Sequence, residues 1–169
     1  TYLAQGWSAS DSLWFYNTSQ GSNLLPYSFF LVLEQSDSSA LFRSDENIDR
    51  YGYLPQRPTI SNPDGLPVGM VRDRYQGKNY MGFTCAACHT TQINYAGTGM
   101  RIDGGPANSD MESFMIDLAN ALYATLENPD KLDRFMIQVL KQGDYQNANH
   151  IIDDLKKFSQ RIKTYTIIN

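Results

Sequence analysis

Cys85-Ala86-Ala87-Cys88-His89 places both cysteines and one of the two histidines of the 169-residue chain in five consecutive positions. Shuffling this composition would give such a run about once in 7,000 sequences. C-x-x-C-H is the attachment sequence of a c-type haem. Residues three apart share one face of a helical turn, so both sulfurs can reach the two vinyl groups on one porphyrin edge and form thioethers. His89 then offers an imidazole nitrogen to the iron as proximal ligand. One covalent haem c, held by Cys85, Cys88 and His89, is the cofactor expected.

Other chemistries use the same residue types. A redox C-x-x-C follows a buried strand and runs into a helix, whereas Thr90-Thr91-Gln92-Ile93-Asn94-Tyr95 reads as extended chain. A structural zinc site takes four N/S ligands, and outside the run only His150 remains. Two inert or disulfide-linked cysteines are the third alternative; a bridge closing so short a loop constrains little.

Outward from the run, the sequence predicts mostly helix. Ser8-Ala9-Ser10 caps a helix through Trp14, Phe15 and Tyr16, and Pro26 opens one carrying Phe29, Phe30, Val32 and Leu33. A short helix follows Ser44, then a loop marked by Pro55, Pro58, Pro63 and Pro67. Val68–Arg74 reads as extended, and Ile93, Tyr95, Gly97, Met100 and Ile102 suggest a β-hairpin. Ser109-x-x-Glu112 reads as a capping box before the stripe Met111, Phe114, Met115, Leu118, Leu122 and Leu126. Further helices start at Asn128-Pro129 and near Asn149. The expected fold is therefore mostly α: a cytochrome c-like helical haem domain with long loops and a small β-hairpin. It is read as one domain over 1–169, with an aromatic-rich wrap over 1–79 and a haem-attachment core over 80–169. The wrap carries Trp7, Trp14, Phe15, Tyr16, Tyr27, Phe29, Phe30, Tyr51 and Tyr53, which could roof the haem.

Composition excludes some partners. Fourteen Lys+Arg against 18 Asp+Glu, without a basic cluster, argue against nucleic acid. Apolar runs such as Phe29–Leu33 are far too short for a transmembrane segment. The start, Thr1-Tyr2-Leu3-Ala4, lacks the basic-then-apolar pattern of a signal peptide and reads like a trimmed chain. Since c-type haem is attached outside the cytoplasm, a periplasmic or secreted location is expected.

Several linear motifs resemble a known family. They are Trp14-Phe15-Tyr16, Gln20-Gly21-Ser22, Leu25-Pro26-Tyr27, Leu33-Glu34-Gln35 and Asn62-Pro63-Asp64-Gly65-Leu66-Pro67-Val68-Gly69. Gly82-Phe83-Thr84 before the haem run, then Asn94-Tyr95, Gly97-Thr98-Gly99 and Arg101-Ile102-Asp103-Gly104-Gly105-Pro106, extend the likeness. Together they resemble the exported di-haem cytochromes related to bacterial cytochrome c peroxidases, in the branch that includes the rubber oxygenases. The resemblance covers roughly residues 6 to 140. It implies Cys85 and Cys88 as thioether attachments, His89 as proximal ligand, and a longer chain in which this is the N-terminal haem domain. It also implies a first haem left open on its distal side, and a redox partner protein or second haem domain as partner.

The sixth coordination position separates two functions. A Met thioether closes the iron and makes an electron carrier; Met100, in a glycine-flanked stretch after the haem run, is the first choice, ahead of Met70, Met81, Met111, Met115 and Met136. His150 would give a bis-His haem. An open position would instead admit O2 or peroxide, as in a peroxidase or oxygenase, with Arg101 as candidate catalytic donor or as partner of a haem propionate. Arg72 and Arg74 compete for the propionate. Asp103 is expected to fix a turn. The chain is thus expected to serve electron transfer or redox chemistry, leaning to an oxidoreductase in the intact protein.

Overall fold

A computed structural model describes residues 1–168. Near the N-terminus, Ser8 and Asp11 cap α1 (Ala9–Asn17) reciprocally: the Ser8 hydroxyl accepts the Asp11 N–H, and the Asp11 carboxylate accepts the Ser8 N–H. Then come β1 (Leu25–Pro26), α2 (Tyr27–Val32) and α3 (Asp45–Asp49). A hairpin of β2 (Met70–Tyr75) and β3 (Lys78–Phe83) leads to α4 (Ala86–His89), which Cys85 precedes as N-cap. A second hairpin, β4 (Thr90–Tyr95) and β5 (Thr98–Asp103), leaves α4 at once. Three helices close the chain: α5 (Met111–Glu127), α6 (Pro129–Gln142) and α7 (Ala148–Ile168).

The mostly α expectation is corrected. Helix accounts for 45% and strand for 17%, and the strands form two antiparallel sheets, one of order β1-β3-β2 and one of β4-β5. The hairpin β4–β5 falls where Ile93, Tyr95, Met100 and Ile102 alternate. The three-stranded sheet does not follow from periodicity, because Met81, Gly82 and Phe83 are consecutively buried and so fail to alternate. Its turn, Gln76-Gly77, has positive φ at both residues (48° and 79°), the type I′ geometry usually signalled by Asn-Gly. Ala96-Gly97 makes the same turn in the second hairpin. The α5 cap also differs: Asp110 rather than Ser109 accepts, from the Ser113 N–H at 2.9 Å.

The principal core joins residues from both ends of the chain. α5 presents Phe114, Leu118 and Leu122, and α7 presents Ile151, Leu155, Phe158 and Ile162, all buried at helical spacing. α6 adds Phe135, edge-on to Phe29 of α2 at 4.9 Å between ring centroids. Each such fully buried side chain stabilises the fold by about 1.5–3 kcal/mol. Phe114 lies edge-on to Phe42, Tyr51, Tyr53 and Phe83. Since Phe83 ends β3 two residues before Cys85, this aromatic cluster anchors the approach to the Cys85–His89 turn.

The aromatic-rich wrap divides. Tyr27, Phe29, Phe30, Tyr51 and Tyr53 belong to this core, whereas Phe15 forms a separate small cluster with Val68 and Ala86, against which Tyr16, Leu54 and Cys85 pack. Trp7 sits edge-on to Phe15 at 4.9 Å, and Trp14 is exposed. A recurring device pairs buried or half-buried phenols with aspartates: Tyr16 with Asp103, Tyr27 with Asp64, Tyr51 with Asp117 and Tyr145 with Asp154. Among the described residues, no helix is long and apolar enough to cross a membrane.

Candidate haem-attachment site

A four-residue helix cannot hold itself together, so α4 is fixed by its surroundings. Thr84, fully buried, starts it: its N–H donates to the Gly69 carbonyl at 2.9 Å, its hydroxyl accepts the Ala86 N–H at 3.2 Å, and its carbonyl accepts the Ala87 N–H at 3.1 Å. Ala86 and Ala87 face inward. Gly69, at φ +88°, runs so close beneath that a Cβ there would stand 2.2 Å from the Ala87 Cα. The small residues between the cysteines are therefore a packing requirement.

From the other side, the segment after β5 caps the turn. Gly104 N–H donates to the His89 carbonyl at 2.7 Å, Ala107 N–H to the Cys88 carbonyl at 2.9 Å, and the Ser109 hydroxyl to the Ala87 carbonyl at 3.3 Å. Three consecutive carbonyls that a helix end leaves orphaned are thereby satisfied. With backbone held above and below, the remaining side chains point outward: Cys85 is half-buried beside the Phe15 cluster, and Cys88 and His89 are exposed. Both cysteines are free thiols.

That arrangement fits a c-type haem. Two free thiols and an imidazole emerge from the outer side of one rigid turn, next to the apolar side chains of Phe15 and Leu54. Among the described residues no group of three or more His, Cys, Asp or Glu is arranged to hold a metal ion. A haem iron needs only one or two protein donors, and His89 is placed to be one of them.

The other sequence-selected residues lie as follows. Met100 stands in β5 directly opposite Ile93, half exposed. Arg101 is its neighbour and so faces the other side of the hairpin. There its guanidinium donates to the Tyr2 hydroxyl at 3.3 Å and to Gln92 Oε1 at 3.4 Å, and stacks 5.4 Å over the Tyr2 ring. The N-terminal residues run alongside, with Leu3 N–H on the Arg101 carbonyl and Arg101 N–H on the Thr1 carbonyl, each at 2.8 Å. Met70 and Met81 are buried in the core, Met115 and Met136 pack against it, and Met111 accepts the Tyr53 hydroxyl on its sulfur at 3.3 Å. Burial pushes the Tyr53 phenol up. Arg72 lies over the Tyr27 ring, and Arg74 pairs with Asn79 in the three-stranded sheet. His150 lines a cleft of about 490 Å³ with Tyr80, Tyr145 and Asp154, a cleft to which the haem run contributes nothing.

Sequence reasoning missed the cap formed by Gly104, Ala107 and Ser109, and the pairing of Tyr16 with Asp103. Gly104, at φ +82°, was the available signal: a glycine placed to reverse the chain directly after a strand.

Comparison with known proteins finds no matching family model and no matching solved structure. The chain is 33% identical over 174 residues to a protein described as uncharacterized protein y4iJ of Sinorhizobium fredii (strain NBRC 101917 / NGR234). The match covers 90% of this chain and 28% of that protein, so the chain spans less than a third of its relative's length.

Proposed function

We propose that this chain is a c-type haem-binding domain serving electron transfer, with one haem joined covalently to Cys85 and Cys88 and ligated by His89. The observation that carries this reading is the turn itself: two free thiols and an imidazole projecting from a four-residue helix whose inner alanines and outer carbonyls are all engaged. When bound, the haem supplies a one-electron iron couple, and at any open coordination position a place for O2 or peroxide. The protein's own residues orient it. Gly69 and Ala87 set the height of the turn, the Gly104–Ser109 cap stops it rotating, and Phe15 with Leu54 supply apolar surface beside Cys85. Arg101, tied to Tyr2 and Gln92, is available to orient a propionate.

A second reading has an observation of its own. Met100 belongs to the hairpin that leaves directly from His89, so it would offer its sulfur from the same side of the turn as the His89 donor. That placement favours a position left open for O2 or peroxide, as in the ligand-binding domain of a peroxidase or oxygenase. The likeness to exported di-haem cytochromes related to bacterial cytochrome c peroxidases supports the same reading, with export to the periplasm and a second haem domain in a longer chain. Optical spectra of the loaded protein decide. Low-spin iron in both oxidation states, with no carbon monoxide binding, supports the carrier. Carbon monoxide binding to the untreated ferrous form supports the open site. Failure of haem to attach to either cysteine removes both.

A further inference from the structure

Asp103 closes the β4–β5 ladder opposite Thr90, the residue that follows His89. It is only 9% exposed. Its Oδ1 accepts the Tyr16 hydroxyl and, at 3.4 Å, the Thr90 hydroxyl. Among the described residues, no Lys, Arg or His lies within ion-pair distance of it. Arg101 shares its face of the hairpin and its charge reaches Tyr16, but its guanidinium bonds Tyr2 and Gln92 and makes no ion pair with the Asp103 carboxylate. Buried carboxylates are ordinarily offset by a cation, and Glu34 follows that rule with Lys131 and Arg134. Among the described residues, Asp103 has no such direct ion pair.

Its position suggests where the offsetting charge comes from. Directly paired Cα atoms in an antiparallel ladder are about 4.5–5.5 Å apart, and His89 is one step of about 3.8 Å from Thr90. The carboxylate therefore sits beside the ligand-bearing turn, where low solvent access lets its field act. Tyr16 holds it there, itself braced edge-on by Tyr2 at 6.4 Å and Phe15 at 5.3 Å between centroids.

We infer that Asp103, fixed by Tyr16, is a built-in counter-charge to the haem iron that favours its oxidised state and lowers its midpoint potential. This rests on the haem reading above. A fixed negative charge opposes the arrival of an electron at the iron, and the Tyr16 hydroxyl dipole offsets part of that charge. The test is spectroelectrochemical titration of the haem-loaded full chain as wild type, Asp103→Asn, Asp103→Glu and Tyr16→Phe. Asp103→Asn is expected to titrate at a higher potential than wild type, Asp103→Glu to return towards it, and Tyr16→Phe to titrate lower with haem attachment unchanged. An unchanged or lower potential in Asp103→Asn overturns the inference. If Asp103→Asn does not fold, Tyr16→Phe decides: a lower potential supports the inference, and an unchanged or higher one overturns it. Wild-type protein without covalent haem removes the haem reading and this inference with it. That outcome is distinct from a loaded wild type whose potential ignores Asp103.

Discussion

At Gly69 the backbone makes a demand that no other residue type meets. Its φ of +88° is strained for any side chain, and a Cβ would stand within 2.6 Å of the Ala87 N, Cα and Cβ atoms. Gly69→Ala is therefore expected to destabilise the protein by about 3 kcal/mol or more, through both strain and overpacking. Thermal unfolding measures that, and an unchanged midpoint would contradict the described contact. The cysteines behave differently, because their side chains face outward. Cys88→Ser is expected to leave unfolding nearly unchanged in the apoprotein while halving the thioether links in the loaded one, read from the haemochrome spectrum. At this scale the sequence offers the candidate donors, Cys85, Cys88 and His89, and the structure shows them on one turn with both thiols free. The supports of the turn were not legible in the sequence. Gly104, Ala107 and Ser109 act through backbone amides and one hydroxyl, and such bonds depend on where a chain passes rather than on residue type.

Among the elements, helices were readable and one sheet only in part. Ser8 and Asn128-Pro129 announce α1 and α6, and Gly143 ends α6 in a left-handed conformation at φ 84°. Of the β1-β3-β2 sheet only β2 is legible, as the extended stretch Val68–Arg74; its partner β3 is hidden because that strand is buried on both faces at one end and the turn lacks the usual Asn-Gly. A pairing between elements also sets an acid-side dependence. Glu34, after α2, accepts from Nε and Nη2 of Arg134 at 2.7 and 2.8 Å and from the Lys131 ammonium at 3.2 Å, both residues belonging to α6. Arg134's hydrogen bonds first, and Lys131's after them, hold its carboxyl below the ordinary value despite partial burial. Folding thus favours the ionised form. That stability is present above the ordinary Glu value of about 4.3 and is lost as pH falls through the lower folded value. Denaturant midpoints across that range are expected to drop in wild type and to flatten in Glu34→Gln. Lys131→Met, which also frees the Gln35 and Ser38 carbonyls, should cost about 2 kcal/mol at neutral pH.

Across the whole molecule, phenols stand where many proteins use ion pairs. The chain has 11 tyrosines but only 19% charged residues, and four of those phenols donate to aspartates in different regions. Burial first, and the paired carboxylate second, raise all four; Tyr51 is pushed up to about 12. A group whose folded value is raised contributes stability that is complete below its unfolded value, about 10 for tyrosine, and is lost as pH rises beyond it. Phenolate absorbance is therefore expected to appear in two phases, the later one coinciding with unfolding; a single phase at the ordinary value would contradict the pairings. The Cys85–His89 turn, the proposed haem attachment, lies at the junction of both hairpins, with the helical core behind it. The most direct test of that attachment is intact mass and haemochrome spectroscopy on the chain exported from a host that attaches c-type haem. The expected result is one haem per chain, covalently retained after denaturation and carried on both Cys85 and Cys88. An apoprotein mass with two titratable thiols would contradict it.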